Sequence, residues 1–188
     1  RQRTHEYSLE QAGGYFYIRS NRDAENFKLM RTPVDRWKEV HWEEVIEHRS
    51  DVFLAGFAVF KEFLCVNERK AGLTQLRIRP WNDKSKEHYI AFDDAAYAVG
   101  MGTNPVFDTG TLRFVYQSPT TPRTTYDYDV ISRDRELLKR DQVMGDFDPS
   151  NYRAERLSIA ARDGAEVPVT VVYRRDVFKQ DGSCPLLL

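Results

Sequence analysis

Apolar and polar positions alternate along most of the chain in short runs, with no long stripe of helical period. Tyr15-Phe16-Tyr17-Ile18-Arg19 follows a Gly13-Gly14 turn, and Phe27-Lys28-Leu29-Met30-Arg31 follows the polar stretch 21–26. Two apolar runs joined by a polar tip read as a β-hairpin. The layout returns at 63–66 and 73–78 around a tip at 68–72, and again at 112–116 and 125–130 around a tip at 118–123. Matching Tyr15 to Phe63 gives a step of 48 residues, and matching Cys65 to Tyr116 gives 51. A repeat of about 45–50 residues, each holding four short strands, predicts the blades of a β-propeller. In the middle unit the four strands are expected at 52–60, 63–68, 73–79 and 88–92. A β-sandwich also has short, evenly spaced strands and stays open as the alternative. Residues 34–46 are the one helical candidate, and they read equally as an irregular outer strand.

The pattern breaks at Gly145-Asp146-Phe147-Asp148-Pro149-Ser150, a run of turn residues. Beyond it, 156–161 and 167–175 flank Arg162-Asp163-Gly164-Ala165, and an Asp-Gly tip between alternating runs is a hairpin signal. This hairpin does not resemble a fourth repeat, so a domain boundary is expected close to residue 150. The expected fold is all-β: about three four-stranded blades of a partial propeller, then the first hairpin of another domain.

Composition supports this class. Aromatics make up 13% of the 188 residues, with ten Tyr and eleven Phe, and such side chains suit pleated, half-buried surfaces. The net charge is −1, and the balance holds locally. Basic and acidic residues number 9 and 9 in 1–50, 7 and 7 in 51–100, 6 and 8 in 101–150, and 6 and 5 in 151–188. No segment carries the basic excess that a phosphate-binding surface needs, which argues against nucleic acid and against an anionic membrane. The longest uncharged apolar stretch, 52–60, is far shorter than the roughly 20 residues of a membrane span. Arg1-Gln2-Arg3-Thr4-His5 has no apolar run behind it of the kind a secretory leader has. Cys65 lies in an apolar run and far from Cys184, as expected of a buried thiol in a reducing, cytoplasmic setting. The chain opens without Met and stops at Pro185-Leu186-Leu187-Leu188, which reads as the start of a buried strand. Both ends point to a piece of something longer.

Candidate chemistry is sparse. No serine sits in a G-x-S-x-G turn, and in Gly182-Ser183-Cys184-Pro185 a proline replaces the following glycine, so Ser183 reads as a loop serine. The histidines at 5, 41, 48 and 88 lack the spacing of a zinc-binding helix, and no Cys-x-x-Cys pair occurs. His41 and His48, among Glu43, Glu44 and Glu47, read as a solvated acidic edge. Asp146, Asp148 and Ser150 open like a calcium loop, but Asn151 and Leu157 stand where Gly and Glu are required. Asp127 and Asp129 alternate with Tyr126 and Tyr128, which puts both carboxylates on one face of a strand and reads as a solvated sheet face. No catalytic, cofactor-binding or metal-binding residue is therefore assigned.

Several stretches resemble the prolyl oligopeptidase family of serine peptidases. They are Ser150-Asn151-Tyr152-Arg153-Ala154-Glu155-Arg156, Ala161-Arg162-Asp163-Gly164-Ala165-Glu166-Val167-Pro168-Val169-Thr170-Val171-Val172-Tyr173, and the terminal Cys184-Pro185-Leu186-Leu187-Leu188. Others are similar to the oligopeptidase B (protease II) subfamily: His5-Glu6-Tyr7-Ser8-Leu9, Tyr17-Ile18-Arg19-Ser20-Asn21, Gly72-Leu73-Thr74-Gln75-Leu76, Ile90-Ala91-Phe92-Asp93-Asp94-Ala95-Ala96-Tyr97 and Ser118-Pro119-Thr120-Thr121-Pro122. The order and spacing of these stretches carry the resemblance, not any one of them.

The resemblance implies a cytoplasmic serine endopeptidase that cleaves short peptides after Lys or Arg beneath a seven-bladed propeller. Residues 1–149 would be blades five to seven, and 150–188 the start of an incomplete α/β-hydrolase domain. The family's nucleophile, acid and base would lie beyond residue 188, so the chain alone is expected to be inactive. Its strands near 7–9, 54–57 and 97–101 would line the central channel and gate access, although most of their residues read as blade packing. The implied partner is a short basic peptide, with no nucleic acid, no membrane and no cofactor. Uncovered flanks of an incomplete propeller would let the isolated chain self-associate. Two other functions stay open: a non-catalytic propeller-like interaction module, and a sugar-binding propeller, which the alternating placement of the aromatics disfavours.

Overall fold

The computed structural model describes residues 4–187 and contains three four-stranded antiparallel sheets and one separate hairpin. The first sheet comprises β1 (Tyr7–Ala12), β2 (Tyr15–Ser20), β3 (Lys28–Pro33) and β4 (Glu43–Ile46). The second comprises β5 (Val52–Val59), β6 (Phe63–Lys70), β7 (Leu73–Pro80) and β8 (His88–Tyr89). The third comprises β9 (Ala98–Met101), β10 (Thr111–Ser118), β11 (Thr121–Asp129) and β12 (Arg135–Arg140). Each sheet pairs its strands in chain order, so four consecutive strands close one blade before the next begins. A sandwich would pass strands between two sheets, and among the described residues no strand does so. The second strands start at residues 15, 63 and 111, a constant step of 48. The 51-residue step from Cys65 to Tyr116 compared residues at different distances from their strand starts.

The middle strand β6 shows how the blades hold together. Its uninterrupted run Phe63-Leu64-Cys65-Val66 is buried on both faces. Leu64 and Val66 enter a core with Tyr17, Phe27, Leu29, Ile46 and Leu54 of the first blade and its junction. Phe63 and Cys65 enter a second core with Leu76, Ile78, Ile90, Val99, Leu112, Phe114 and Tyr128. Alternation along one strand thus feeds two interblade cores, one toward each neighbour. At the far flank β12 is exposed along its whole length.

Local departures from the expected pattern have simple causes. Residues 34–46 form no α-helix: two short 3₁₀ turns, Val34–Arg36 and Glu39–His41, lead into β4. Neither turn buries a residue, so there is no apolar stripe to support a helix. The strand expected at 88–92 stops at Tyr89, although Ile90 is buried and its N–H still bonds Leu76 O at 2.9 Å. The tip expected at 68–72 shrinks to Ala71-Gly72, whose positive φ values of 47° and 81° suit a tight two-residue turn. The tip expected at 118–123 shrinks to Pro119-Thr120.

The last hairpin, β13 (Tyr152–Ala160) and β14 (Glu166–Arg174), forms a sheet of its own. Before it, the Asp148 carboxylate accepts the Ser150 N–H at 2.9 Å and caps a 3₁₀ turn, Pro149–Asn151. Pro185, Leu186 and Leu187, expected to open a buried strand, pair with no strand, and Leu187 is 96% exposed. Among the described residues there is no third strand beside β14 to receive them. Leu188, the last residue of that expected strand, and Arg1-Gln2-Arg3 lie outside the described residues.

Candidate functional site

The residues weighed for chemistry have structural partners. Ser183 Oγ donates to Asp181 at 2.6 Å in a surface turn. His5 Nε2 meets Ser20 Oγ at 2.8 Å, but that oxygen is buried and also accepts the Arg22 N–H at 3.1 Å, so it braces a turn. His88 Nε2 meets Tyr128 OH at 2.8 Å across the second and third blades. Cys65 is fully buried, and desolvation pushes its thiol far up. Asp127 is held below the usual carboxylate range by a bidentate pair with Arg113, both contacts 2.8 Å. Asp129 is held low by accepting the backbone N–H groups of Ser132 and Ile131. Among the described residues no group of three or more His, Cys, Asp or Glu is placed to hold a metal ion.

The acidic edge at 41–48 is more mixed than its sequence suggests. Glu43 is 3.0 Å from Arg31, while Glu44 and Glu47 border a cleft of about 240 Å³ whose other side is Arg49, Arg77 and Arg79. Behind it sits the buried carboxylate of Glu68. Its Oε2 accepts from Tyr89 OH at 2.7 Å, and its Oε1 accepts from Arg77 at 3.1 Å and from Arg49. Arg77 also pairs with Glu87, and Arg79 donates to Val45 O of β4 at 2.5 Å. Burial raises the Tyr89 phenol. This node joins the second blade to the end of the first. Sequence reasoning missed it by counting Glu68 into a polar tip. The available signal was phase: Glu68 follows Leu64 and Val66 at the inward-facing period of two.

What the fold does build is a common edge of three first strands with two distinct ends. The strands β1, β5 and β9 are the first of their sheets and occupy the same edge in each. Tyr7 (67%) and Leu9 (55%) are open there, whereas Leu54 and Val99 are buried in the interblade cores. Of the stretches 7–9, 54–57 and 97–101, the first is thus open to solvent, and Leu54 and Val99 of the other two pack between blades. At one end lie the links from first to second strand: Gly13-Gly14, residues 60–62 and the longer loop 102–110. At the other lie the tips Ala71-Gly72 and Pro119-Thr120. The hairpin β13–β14 packs at this second end: a methyl on Gly72 would lie 3.2 Å from Arg156 Nη2 and 3.4 Å from Pro168 Cγ. A cleft of about 490 Å³ runs between Thr170 of β14 and Tyr97, Ala98, Ser118, Pro119 and Pro122. Burial raises the Tyr97 phenol, against the opposing Gln75 hydrogen bond and the Arg156 charge.

Residues 1–141 match the family described as prolyl oligopeptidase, N-terminal beta-propeller domain. The dipeptidyl aminopeptidase BI of Pseudoxanthomonas mexicana is 40% identical over 100% of the chain, and protease 2 of Moraxella lacunata 30% identical over 97%. Each alignment covers 26% of the relative, so the chain spans about a quarter of the length of these curated relatives. The structures of oligopeptidase B from Leishmania major and from Trypanosoma brucei superpose on 94% of the chain. Their TM-scores are 0.82 and 0.83, at 26% identity, over 26% of each of those chains.

Proposed function

Because the chain belongs to the prolyl oligopeptidase family of peptidases, we propose that it is the propeller segment of a serine oligopeptidase that hydrolyses short peptides after Lys or Arg. In this reading residues 1–149 are blades five to seven, and 150–188 begin the α/β-hydrolase domain. The nucleophile and its acid and base belong to the part of the family's length that this chain does not cover. The propeller gates access to them, since a cap that excludes bulk chains and water commits small substrates to the cleft. One observation carries the reading: the hairpin that follows the blades docks on their tips, with Arg156 and Pro168 against Gly72. The two free, well-separated cysteines support a cytoplasmic location.

The test compares the chain with its full-length parent on an amino-blocked dibasic chromogenic peptide. The parent is expected to hydrolyse it and the chain alone to leave it intact. Turnover by the chain alone, or none by the parent, refutes the reading. The 40% identity to a dipeptidyl aminopeptidase favours a second reading, release of dipeptides from a free amino terminus. Cleavage only of the unblocked form of the same peptide selects that reading. The isolated chain is also expected to self-associate through its open flanks, where Leu137 and Leu138 of β12 are half-exposed. Light scattering that returns a monomer at high concentration refutes this.

A further inference from the structure

We propose that the cleft between the first two blades, with Glu44 and Glu47 on one wall and Arg49, Arg77 and Arg79 on the other, binds a small zwitterion that carries a free ammonium and a free carboxylate, as a dipeptide does. The proposal does not depend on the peptidase reading.

The cleft lies on the side of the sheets away from the first strands. β4 of the first blade brings Glu44 and, just past its end, Glu47. β7 of the second blade brings Arg77 and Arg79, and the link between the blades brings Arg49. Opposite charges that share a cleft ordinarily pair, yet among the described residues no ion pair joins Glu44 or Glu47 to these arginines. The arginines are held from behind instead. Arg49 and Arg77 are tied to the buried Glu68 carboxylate, and Arg77 also pairs with Glu87. Arg79 Nη1 donates to Val45 O at 2.5 Å, and its Nε is 3.4 Å from Glu87 Oε2. To reach Glu44 or Glu47 across the cleft, Arg49 or Arg77 would have to abandon a carboxylate that is fully buried, at high cost.

The gap is therefore preformed, and hydrogen-bonding capacity is left over on both walls. A guanidinium has five N–H donors. Arg79 spends Nη1 and Nε on its partners, and Arg49 spends Nη2 on Glu68 and Nη1 on the Tyr89 hydroxyl at 3.4 Å. That leaves Nη2 of Arg79 and Nε of Arg49 for a ligand. Glu44 and Glu47 are exposed and have no ion-pair partner among the described residues. The charges choose the ligand class. Three arginines against Glu68 and Glu87 leave one positive charge in excess on the inner wall, and the outer wall carries two negative charges. A lone anion meets the glutamates and a lone cation meets the arginines, whereas a zwitterion satisfies both walls. The volume of about 240 Å³ is several times the ~30 Å³ of one water, which suits a molecule of dipeptide size. Walls fixed before binding lose little freedom on binding, which favours affinity.

The experiment titrates the full-length parent calorimetrically with glycylglycine, N-acetylglycylglycine and glycylglycinamide at millimolar concentration. Glycylglycine has no bond after Lys or Arg and no longer chain from which a dipeptide could be released. It is expected to bind, with each blocked form weaker by about tenfold or more. Glu44→Gln/Glu47→Gln keeps the shape of two exposed side chains and is expected to fold as the parent does, yet to weaken glycylglycine about tenfold. Absence of binding overturns the proposal. Equal binding of the acetylated form makes the cleft an anion site, equal binding of the amide makes it a cation site, and either overturns it. Undiminished binding by the double variant places the dipeptide elsewhere on the parent and overturns it as well. Failure of the parent to cleave any peptide sinks the oligopeptidase reading and leaves these outcomes intact.

Discussion

Replacing Glu68 by Ala tests whether the buried charge node holds the first two blades together. The carboxylate is fully buried and receives Arg49, Arg77 and the Tyr89 hydroxyl. Removing one partner of a buried ion pair costs about 3–5 kcal/mol, because the other charge is left uncompensated. Two features of the node set the value within that range. Arg77 keeps Glu87, so it is not orphaned. Arg49 loses its carboxylate partner but keeps the Tyr89 hydroxyl at 3.4 Å, and its side chain is 26% exposed, so water recovers part of its loss. The expected loss is therefore near the lower end, ~3 kcal/mol. Glu68→Gln keeps the shape and one acceptor but turns charge-assisted bonds into neutral ones, which lowers the loss to ~1.5 kcal/mol. In Arg49→Ala/Glu68→Ala no unpaired Arg49 remains, so the double loss falls short of the sum of the single losses by at least ~1 kcal/mol. Urea unfolding reads this, followed by Trp81, whose indole N–H donates to Phe60 O at 2.9 Å within the second blade. A Glu68→Ala loss under ~1 kcal/mol, or strict additivity in the double variant, refutes the reasoning.

Glu10 on β1 is half-buried, and desolvation raises its carboxyl above the ordinary 4.5, against the opposing hydrogen bond from the Val59 N–H. Its folded form therefore holds the proton longer than its unfolded form, and this group's stabilisation is lost as pH rises from 4.5 through the folded value. Glu10→Gln is expected to raise the unfolding midpoint at neutral pH and to change nothing below pH 4, where both side chains are neutral; a benefit that persists in acid refutes this. Cys65 is sealed in the core and Cys184 partly open, so a thiol reagent is expected to label one group in the folded chain and the second only in denaturant. Fast labelling of both groups without denaturant refutes the packing around β6.

The repeat and its four strands were legible because blade packing imposes a strict sequence phase. Apolar alternation marks the strands, and glycine tips such as Gly13-Gly14 and Asp163-Gly164 separate them. The outer strand β4 was legible only as one of two readings of residues 34–46, because its cause is tertiary. Glu43-Glu44-Val45-Ile46 has little strand character, yet Ile46 fills the interblade core and Val45 O takes the Arg79 guanidinium. The tips were overestimated for a related reason. Glu68, Arg69 and Lys70 look like turn residues, but they continue β6 to its end at Lys70. The first strand of each unit was legible, since 7–9, 54–57 and 97–101 fall on or beside β1, β5 and β9. The contacts of the loop 102–110 were not, since Gly13 and Lys61 are far from Phe107 in sequence and residues 103–109 carry no mark beyond those of a loop.

The balanced charge takes on a structural meaning at the blade edges. Sheet edges leave carbonyl groups without ladder partners, and here arginines from neighbouring blades supply the donors. Arg19 Nε reaches Leu54 O at 2.6 Å from the first blade to the second, and its guanidinium carbon lies 3.4 Å from the Phe27 ring centroid. Arg79 reaches back from the second blade to Val45 O at 2.5 Å. Arg135 of the third blade donates to Ala91 O and lies 4.8 Å from the Phe92 ring centroid. In Arg19 and Arg135 one flat cation both stacks on an aromatic ring and donates to a carbonyl beside it. Lysine lacks the planar fork that does both at once. Arginine is thus selected at these edges for shape as well as charge, and the carboxylates that offset it, such as Glu68 and Glu87, lie at the same seams. A net charge of −1 on a chain with 30% charged residues therefore hides a small set of arginines that hold blade to blade.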